Sequence, residues 1–328
     1  MSELVALIAA TMLPFNIIPG RAEPTPAFST AADATIVANG IILTYRIVGP
    51  ANGRPLLLIA GTGMQLIEWP PALIDGLVKQ GFRVIIDDQR DVGGSTHFTA
   101  TGAPDWSAIM TALGSGKAPP LPYTADDMAR DAVALLDAVG IQHADLLGIS
   151  GGATVAQLVA VVRPDRVRSL QLIAANSGNP TIPMPAEPAR IASVQQPEPD
   201  DSAAVLITKR IAMRRALAGR SSMITEKKVR AAVAQAVARE PDPLGYARQG
   251  AALIALGDLR ARLAAINVPT LVVHGDDDPL ISPTAGREVA KVIPGATFLP
   301  VAGMGHTIEP RDIPTILAAI QMNAARTQ

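Results

Sequence analysis

The chain has 328 residues, 28 of them basic and 29 acidic, for a net charge of −1, so it lacks the basic surplus that nucleic-acid binding requires. A hydrophobic share of 48% excludes a disordered chain and supplies a sizeable core, within one or two domains. The absence of cysteine excludes a disulfide framework, a thiolate metal site and a cysteine nucleophile.

Residues 1–33 read as a signal-like or flexible N-terminal extension. Leu4 to Ile18 is largely apolar but too short to span a bilayer as a helix. Small residues at Gly20 and Ala22 suit a signal-peptidase site, and Glu23 to Thr30 then reads as an unstructured spacer. Cleavage would imply export. The start, Met1-Ser2-Glu3, lacks the usual positive charge, and the alternative is a helix docked on the domain in a cytoplasmic protein. No other stretch resembles a membrane span.

From Ala34 onward strands alternate with helices. Ala34–Val37 and Ile41–Ile47 flank Asn39-Gly40, a strong hairpin signal. Pro55–Ala60 is a continuous apolar run, as expected of a strand buried on both faces. Trp69–Lys79 reads as a helix with two prolines in its first turn, and Phe82–Asp88 as the next strand. Thr124 caps a predicted helix that runs to about Val139 and stops before Gly140. Then follow a strand over Ala144–Ile149, a helix over Ala153–Val162 and a strand over Leu170–Ala174. Thr270–Val273 and Ala296–Val301 add two strands, and Ile313–Ala325 a closing helix. Such alternation requires crossover connections, hence a mostly parallel sheet with helices on both faces.

One block breaks the rhythm. Residues 177–199 are proline-rich and strand-free, and 203–256 carry helical periodicity. The expected organisation is an α/β core from 34–176 and 267–328, with 177–266 inserted as a helical cap over the carboxyl ends of the strands.

The chemistry concentrates in three short segments. Gly148-Ile149-Ser150-Gly151-Gly152 matches G-x-S-x-G between a predicted strand and helix. A nucleophile on so sharp a turn needs small neighbours, which Gly148 and Gly152 provide. The N–H of Gly151, at a helix N-terminus, is placed to receive an oxyanion. Serine needs a base and the base an orienting acid, in the chain order Ser, acid, His. His306, in Gly303-Met304-Gly305-His306 after the last strand, is the candidate base. His97 and His143 read as surface residues and His274 as packed at a strand end. The acid must come from Asp276, Asp277 or Asp278; Asp278, before Pro279, is chosen. The second oxyanion donor is expected in the loop Gly61-Thr62-Gly63-Met64-Gln65, at the Thr62 N–H. Asp88-Gln89-Arg90-Asp91 reads as structural.

Two weaker signals fail. Gly114-Ser115-Gly116-Lys117 lacks the first glycine of a phosphate loop, and Gly61-Thr62-Gly63 has Leu66 where a dinucleotide fingerprint needs its third glycine. No HExxH or Cys/His spacing suggests a metal, and no cofactor is expected.

Taken together, residues 56–70, 81–98, 123–141, 148–157, 268–281 and 303–306 resemble the α/β-hydrolase superfamily, within the group similar to aclacinomycin methylesterases and cofactor-independent haloperoxidases. The resemblance covers the chain after about Ala34 except part of the cap. It implies a Ser150–Asp278–His306 triad with Thr62 and Gly151 as oxyanion donors. Two departures stand out: relatives usually carry Met where this chain has Gly151, and Gly where it has Ala153. Gly151 is expected to leave the elbow more open. The expected activity is hydrolysis of a carboxylic ester or lactone through an acyl-serine. Carbon–carbon hydrolysis and perhydrolysis use the same triad, and a receptor-like homologue that binds without turnover is the alternative. An Ala-, Leu- and Ile-rich cap implies a small, apolar ester or lactone as the partner.

Overall fold

The computed structural model describes residues 27–183 and 196–327. The signal-like segment up to Ala22 and the middle of the proline-rich stretch, residues 184–195, lie outside the described residues.

Eight strands form one sheet: β1 Ala34–Ala38, β2 Ile41–Val48, β3 Arg54–Ile59, β4 Phe82–Asp88, β5 Ala144–Ile149, β6 Val167–Ile173, β7 Thr270–Gly275 and β8 Thr297–Val301. Their spatial order is β1-β2-β4-β3-β5-β6-β7-β8. β2 runs antiparallel to both β1 and β4, and every other pairing is parallel. Asn39 and Gly40, both at positive φ (49° and 76°), make the tight β1–β2 turn, the conformation that Asn-Gly favours.

The continuous apolar runs are explained by burial on two sides. In β3, Leu57 and Ile59 pack into one apolar cluster, while Leu56 and Leu58 pack into the other. The two-residue period of a strand sends successive side chains to opposite faces, and helices cover both. Each fully buried aliphatic side chain contributes about 1.5–3 kcal/mol. The helix Ala125–Ala138 lies on the first face, capped by Thr124, whose hydroxyl accepts from the Asp127 N–H. The closing helix Ile313–Ala325 lies on the second through Ile316 and Ile320.

Between β6 and β7 the chain leaves the sheet and forms helices Ala203–Leu217, Glu226–Ala238, Gly245–Ile254 and Arg260–Leu263. The first two share a small core of their own, made by Leu206, Ile211, Val233 and Val237. The third is tied to the end of β4 by a buried ion cluster. Arg248 donates to Asp91 at 2.8 and 2.9 Å and to Asp242 at 2.6 Å. Removing one member would strand a buried charge, at a cost of several kcal/mol.

Several elements differ from the sequence reading. Ala27–Thr30 is a helical turn rather than an unstructured spacer. Phe28 is buried there in the apolar core, with the guanidinium of Arg46 stacked 4.7 Å from its ring centre, and these contacts hold the turn. The helix read from Trp69 begins at Pro71, because Trp69 turns inward and is fully buried. β6 starts at Val167, earlier than its apolar run, since Ser169 and Gln171 bond each other and Ser169 bonds Asp145 inside the sheet. Helices Trp106–Gly114 and Pro283–Val292 have no counterpart in the sequence reading.

Asp87, within β4, gives a pH-dependent prediction. Burial and the neighbouring charges of Asp88 and Asp131 push its carboxyl up to about 8. The native chain therefore keeps a proton that the unfolded chain releases near 3.9. Between those values the folded state binds more protons, so this group makes stability fall as pH rises. Asp87→Asn removes that contribution. Relative to wild type, the variant should gain thermal stability progressively between about pH 5 and 8, measured as the difference in Tm across that range. A difference independent of pH would show that Asp87 is ionised in the native state.

Candidate active site

β5 ends at Ile149 and the helix Gly151–Val162 begins two residues later, leaving Ser150 on the turn between them. Ser150 adopts φ 54° and ψ −123°, a conformation that costs a non-glycine residue on the order of 1–3 kcal/mol. Its N–H donates to the Ile173 carbonyl at 2.9 Å, which holds the strained turn against β6. The flanking glycines are sterically required. A Cβ on Gly152 would lie 2.1 Å from the Ile59 carbonyl oxygen, and one on Gly148 2.4 Å from the Gly152 carbonyl. The helix starts at Gly151 rather than Ala153, so the turn is tighter than the sequence reading allowed.

His306 stands over this turn. Its Nε2 lies 2.9 Å from Ser150 Oγ, and its Nδ1 2.8 Å from Asp278 Oδ2. A carboxylate accepts, so Nδ1 carries the proton and Nε2 presents its lone pair to the serine hydroxyl. The loop bearing His306 is held twice against residues 217–219. Its N–H donates to the Leu217 carbonyl at 2.8 Å. Gly305 packs so closely on residues 217–219 that a Cβ there would sit 2.2 Å from the Gly219 nitrogen.

The three aspartates after β7 have three separate partners. Asp276 accepts from the Gly303 N–H at 2.6 Å, fastening the histidine loop. Asp277 pairs with Arg220, with 2.8 Å to Nε. Only Asp278 reaches His306, and its other oxygen accepts from the N–H groups of Leu280 and Ile281 at 2.8 and 2.9 Å. Burial alone would raise the Asp278 carboxyl. The charge of His306, hydrogen bonds from His274 and His306, and the Ile281 N–H outweigh it and hold the group well below the usual carboxylate range. His274 is fully buried, as the sequence reading expected, and its Nε2–H is shared between the Ile281 carbonyl at 3.0 Å and Asp278 Oδ2 at 3.4 Å.

The loop after β3 faces the serine turn. A Cβ placed on Gly151 would lie 2.4 Å from Thr62 Oγ1, 2.8 Å from Leu253 Cδ1 and 3.3 Å from the Thr62 nitrogen. The elbow is thus not more open for having glycine at 151. The room a larger residue would take is filled by Thr62 and Leu253. Neither the Thr62 N–H nor the Gly151 N–H has a protein acceptor among the described residues, and the two segments bring these donors together.

Side chains that sequence reading missed hold this loop in place. Gln249, fully buried on the helix Gly245–Ile254, accepts from the Gly63 N–H at 2.8 Å and donates to the Arg90 carbonyl at 2.7 Å. Asp88 accepts from the Leu66 N–H at 2.7 Å and from Arg239 at 3.0 Å. Gln89 donates to the Ala60 carbonyl at 2.7 Å, so the segment 88–91 braces the loop. Adjacent long polar residues in GYARQGAALI were the available signal for Arg248 and Gln249, but a solvated helix face reads the same way. His97 is not a surface residue. Its side chain is largely buried, with Nε2 3.0 Å from the Gly93 carbonyl and 3.6 Å from Glu240. His143 is exposed.

Ser150, Gly151, Thr62 and His306 line a cavity of about 650 Å³. Its walls include Met213, Leu217, Tyr246, Leu253 and Leu256 from the helical segment. One group among the described residues has metal-ligating atoms in reach of one another, within 4.8 Å: Asp91, His97 and Asp242. Arg248 bonds both of these carboxylates and already supplies their cation. No helix among the described residues is long and apolar enough to cross a membrane.

Residues 54–308 match the alpha/beta hydrolase fold family. The rhodomycin D methylesterase DauP of Streptomyces sp. (strain C5) is 28% identical over 83% of this chain and 91% of its own. A 2-hydroxy-6-oxononadienedioate/2-hydroxy-6-oxononatrienedioate hydrolase of Paraburkholderia phymatum is 25% identical over 78% and 82%. Among solved structures, the meta-cleavage product hydrolase of Pseudomonas fluorescens IP01 superposes with a TM-score of 0.70 at 18% identity, covering 90% of this chain and 98% of that one. The chain belongs to the alpha/beta hydrolase fold family and is a hydrolase.

Proposed function

We propose that the chain hydrolyses a carboxylic ester or lactone through an acyl-serine intermediate. The observation that carries this reading is the relay Asp278–His306–Ser150, with contacts of 2.8 and 2.9 Å, at the wall of an apolar cavity. Ser150 attacks the carbonyl while His306 takes its proton, and Asp278 fixes the imidazole and balances its charge. The N–H groups of Gly151 and Thr62 receive the oxyanion. The imidazolium protonates the leaving alcohol. Water, deprotonated by His306, then releases the acid and restores the serine. Gly148 and Gly152 permit the elbow, and residues 177–266 act as the cap that shapes the acyl pocket. The chemistry needs no cofactor.

The test is turnover across p-nitrophenyl esters, lactones and amides of graded acyl length. Esters and lactones should be hydrolysed with a gradual dependence on chain length, since one methylene is worth about 1–3 kcal/mol. Ligand-induced thermal stabilisation without turnover of any substrate would favour a receptor-like role. Cleavage confined to carbon–carbon bonds would assign the same groups to a different reaction.

A further inference from the structure

The helix Ala203–Leu217 turns one face to the cavity: Lys209, Arg210, Met213, Arg214 and Leu217, spaced i, i+1, i+4, i+5 and i+8. Three of the five are cations, and cations that line an apolar cavity need partners. Two have them. Lys209 pairs with Asp201 at 2.7 Å, and Arg214 with Glu68.

Arg210 differs. Among the described residues its guanidinium makes no hydrogen bond, and its carboxylate neighbour, Glu240 Oε2, is 3.9 Å away. Glu240 is shared with the core side instead, where Gln65 Nε2 and the Gly93 N–H each lie 3.4 Å away and His97 3.6 Å. Burial, against the charges of His97 and Arg210, pushes the Glu240 carboxyl up to about 7, so near neutrality it gives Arg210 less than a full counter-charge. The Arg210 side chain is 19% exposed, so most of it is withdrawn from water while, among the described residues, no acceptor lies within hydrogen-bond distance of its donors. A planar guanidinium presents paired donors that match a carboxylate bidentately.

We propose that Arg210 binds a free carboxylate of the substrate, so that the preferred substrates are half-esters or lactones that carry one carboxylate on an otherwise apolar chain. This rests on the hydrolase reading and narrows the expectation of a wholly apolar substrate, which was drawn from composition alone. Arg210 sets specificity and takes no part in bond breaking.

The experiment compares p-nitrophenyl half-esters of adipic to suberic acid with p-nitrophenyl esters of the matching monoacids, in wild type, Arg210→Met and Arg210→Lys. Wild type should prefer the half-esters by tenfold or more in kcat/KM. Arg210→Met should lower that preference ratio by about 10–100-fold, mainly through KM, and Arg210→Lys should restore part of it. A ratio that is the same in all three proteins overturns the proposal. So does a parallel fall in both series, which would mark Arg210 as structural. If neither series turns over, the hydrolase reading fails independently. Calorimetric binding of suberate to Ser150→Ala and to Ser150→Ala/Arg210→Met then decides the point. Binding lost in the double variant supports the anchor; binding absent or equal in both overturns it.

Discussion

Ser150→Ala is expected to lower kcat by roughly 10⁴–10⁶, because members of a nucleophile–base–acid unit act together and losing one forfeits nearly all of its effect. The fold should survive. Among the described residues the Ser150 hydroxyl hydrogen-bonds to His306 alone, while the turn is held by its backbone bond to Ile173 and by the close packing of Gly148 and Gly152. Alanine keeps a Cβ, so it inherits the positive φ of Ser150 without new clashes. The check is steady-state hydrolysis of a p-nitrophenyl ester beside a Tm measurement. Substantial residual turnover in a folded variant would place the nucleophile elsewhere.

Asp278→Asn should cost about 10²–10⁴ in kcat for a different reason. Asparagine can keep the acceptor that receives the Leu280 and Ile281 N–H groups, so the loop geometry persists. Its amide then points an N–H at His306 Nδ1. The imidazole must answer with a lone pair there and a proton on Nε2, where it can no longer accept from Ser150. Asp276→Asn and Asp277→Asn should cost less than tenfold, since their partners are the Gly303 N–H and Arg220. Equal damage at either position would reassign the acid. The same change alters acid stability. The Asp278 carboxyl is held below its ordinary value in the native state, so its contribution is present above about pH 4 and lost as pH falls further. Asp278→Asn should flatten that acid limb of the Tm profile.

The parts of the molecule governed by local rules were legible in the sequence. Asn39-Gly40 defines a turn by φ alone, and Leu56–Ile59 defines a strand that only a doubly covered sheet can bury. Gly148 and Gly152 show their purpose because the first is forced by the same short segment and the second by the end of the adjacent strand β3. The helix Pro283–Val292 carries a local signal, Ser282 as cap with Pro283 behind it, and Ala285 and Val289 on one face, although the sequence reading assigns no element there. Other features depend on tertiary neighbours. Gly151 read as an opening, but the contents of that opening, Thr62 and Leu253, come from segments about 90 and 100 residues away in sequence. Gln249 and Arg248 looked like solvated helix residues, and only the packing of their helix onto residues 88–91 makes them buried. The same distinction separates Arg210 from Lys209 and Arg214: sequence shows three cations, and geometry shows which two are neutralised.

The most direct test of the account is covalent labelling. A fluorophosphonate requires an activated serine and a site for its developing oxyanion, the two things the elbow and the Thr62 loop are argued to supply. Wild-type protein should take up one equivalent, peptide mapping should place it on Ser150, and both Ser150→Ala and prior incubation with a turned-over ester should suppress it. An enzyme that hydrolyses esters but shows no adduct at Ser150, or carries it on another residue, would contradict the assignment of nucleophile, base and acid together.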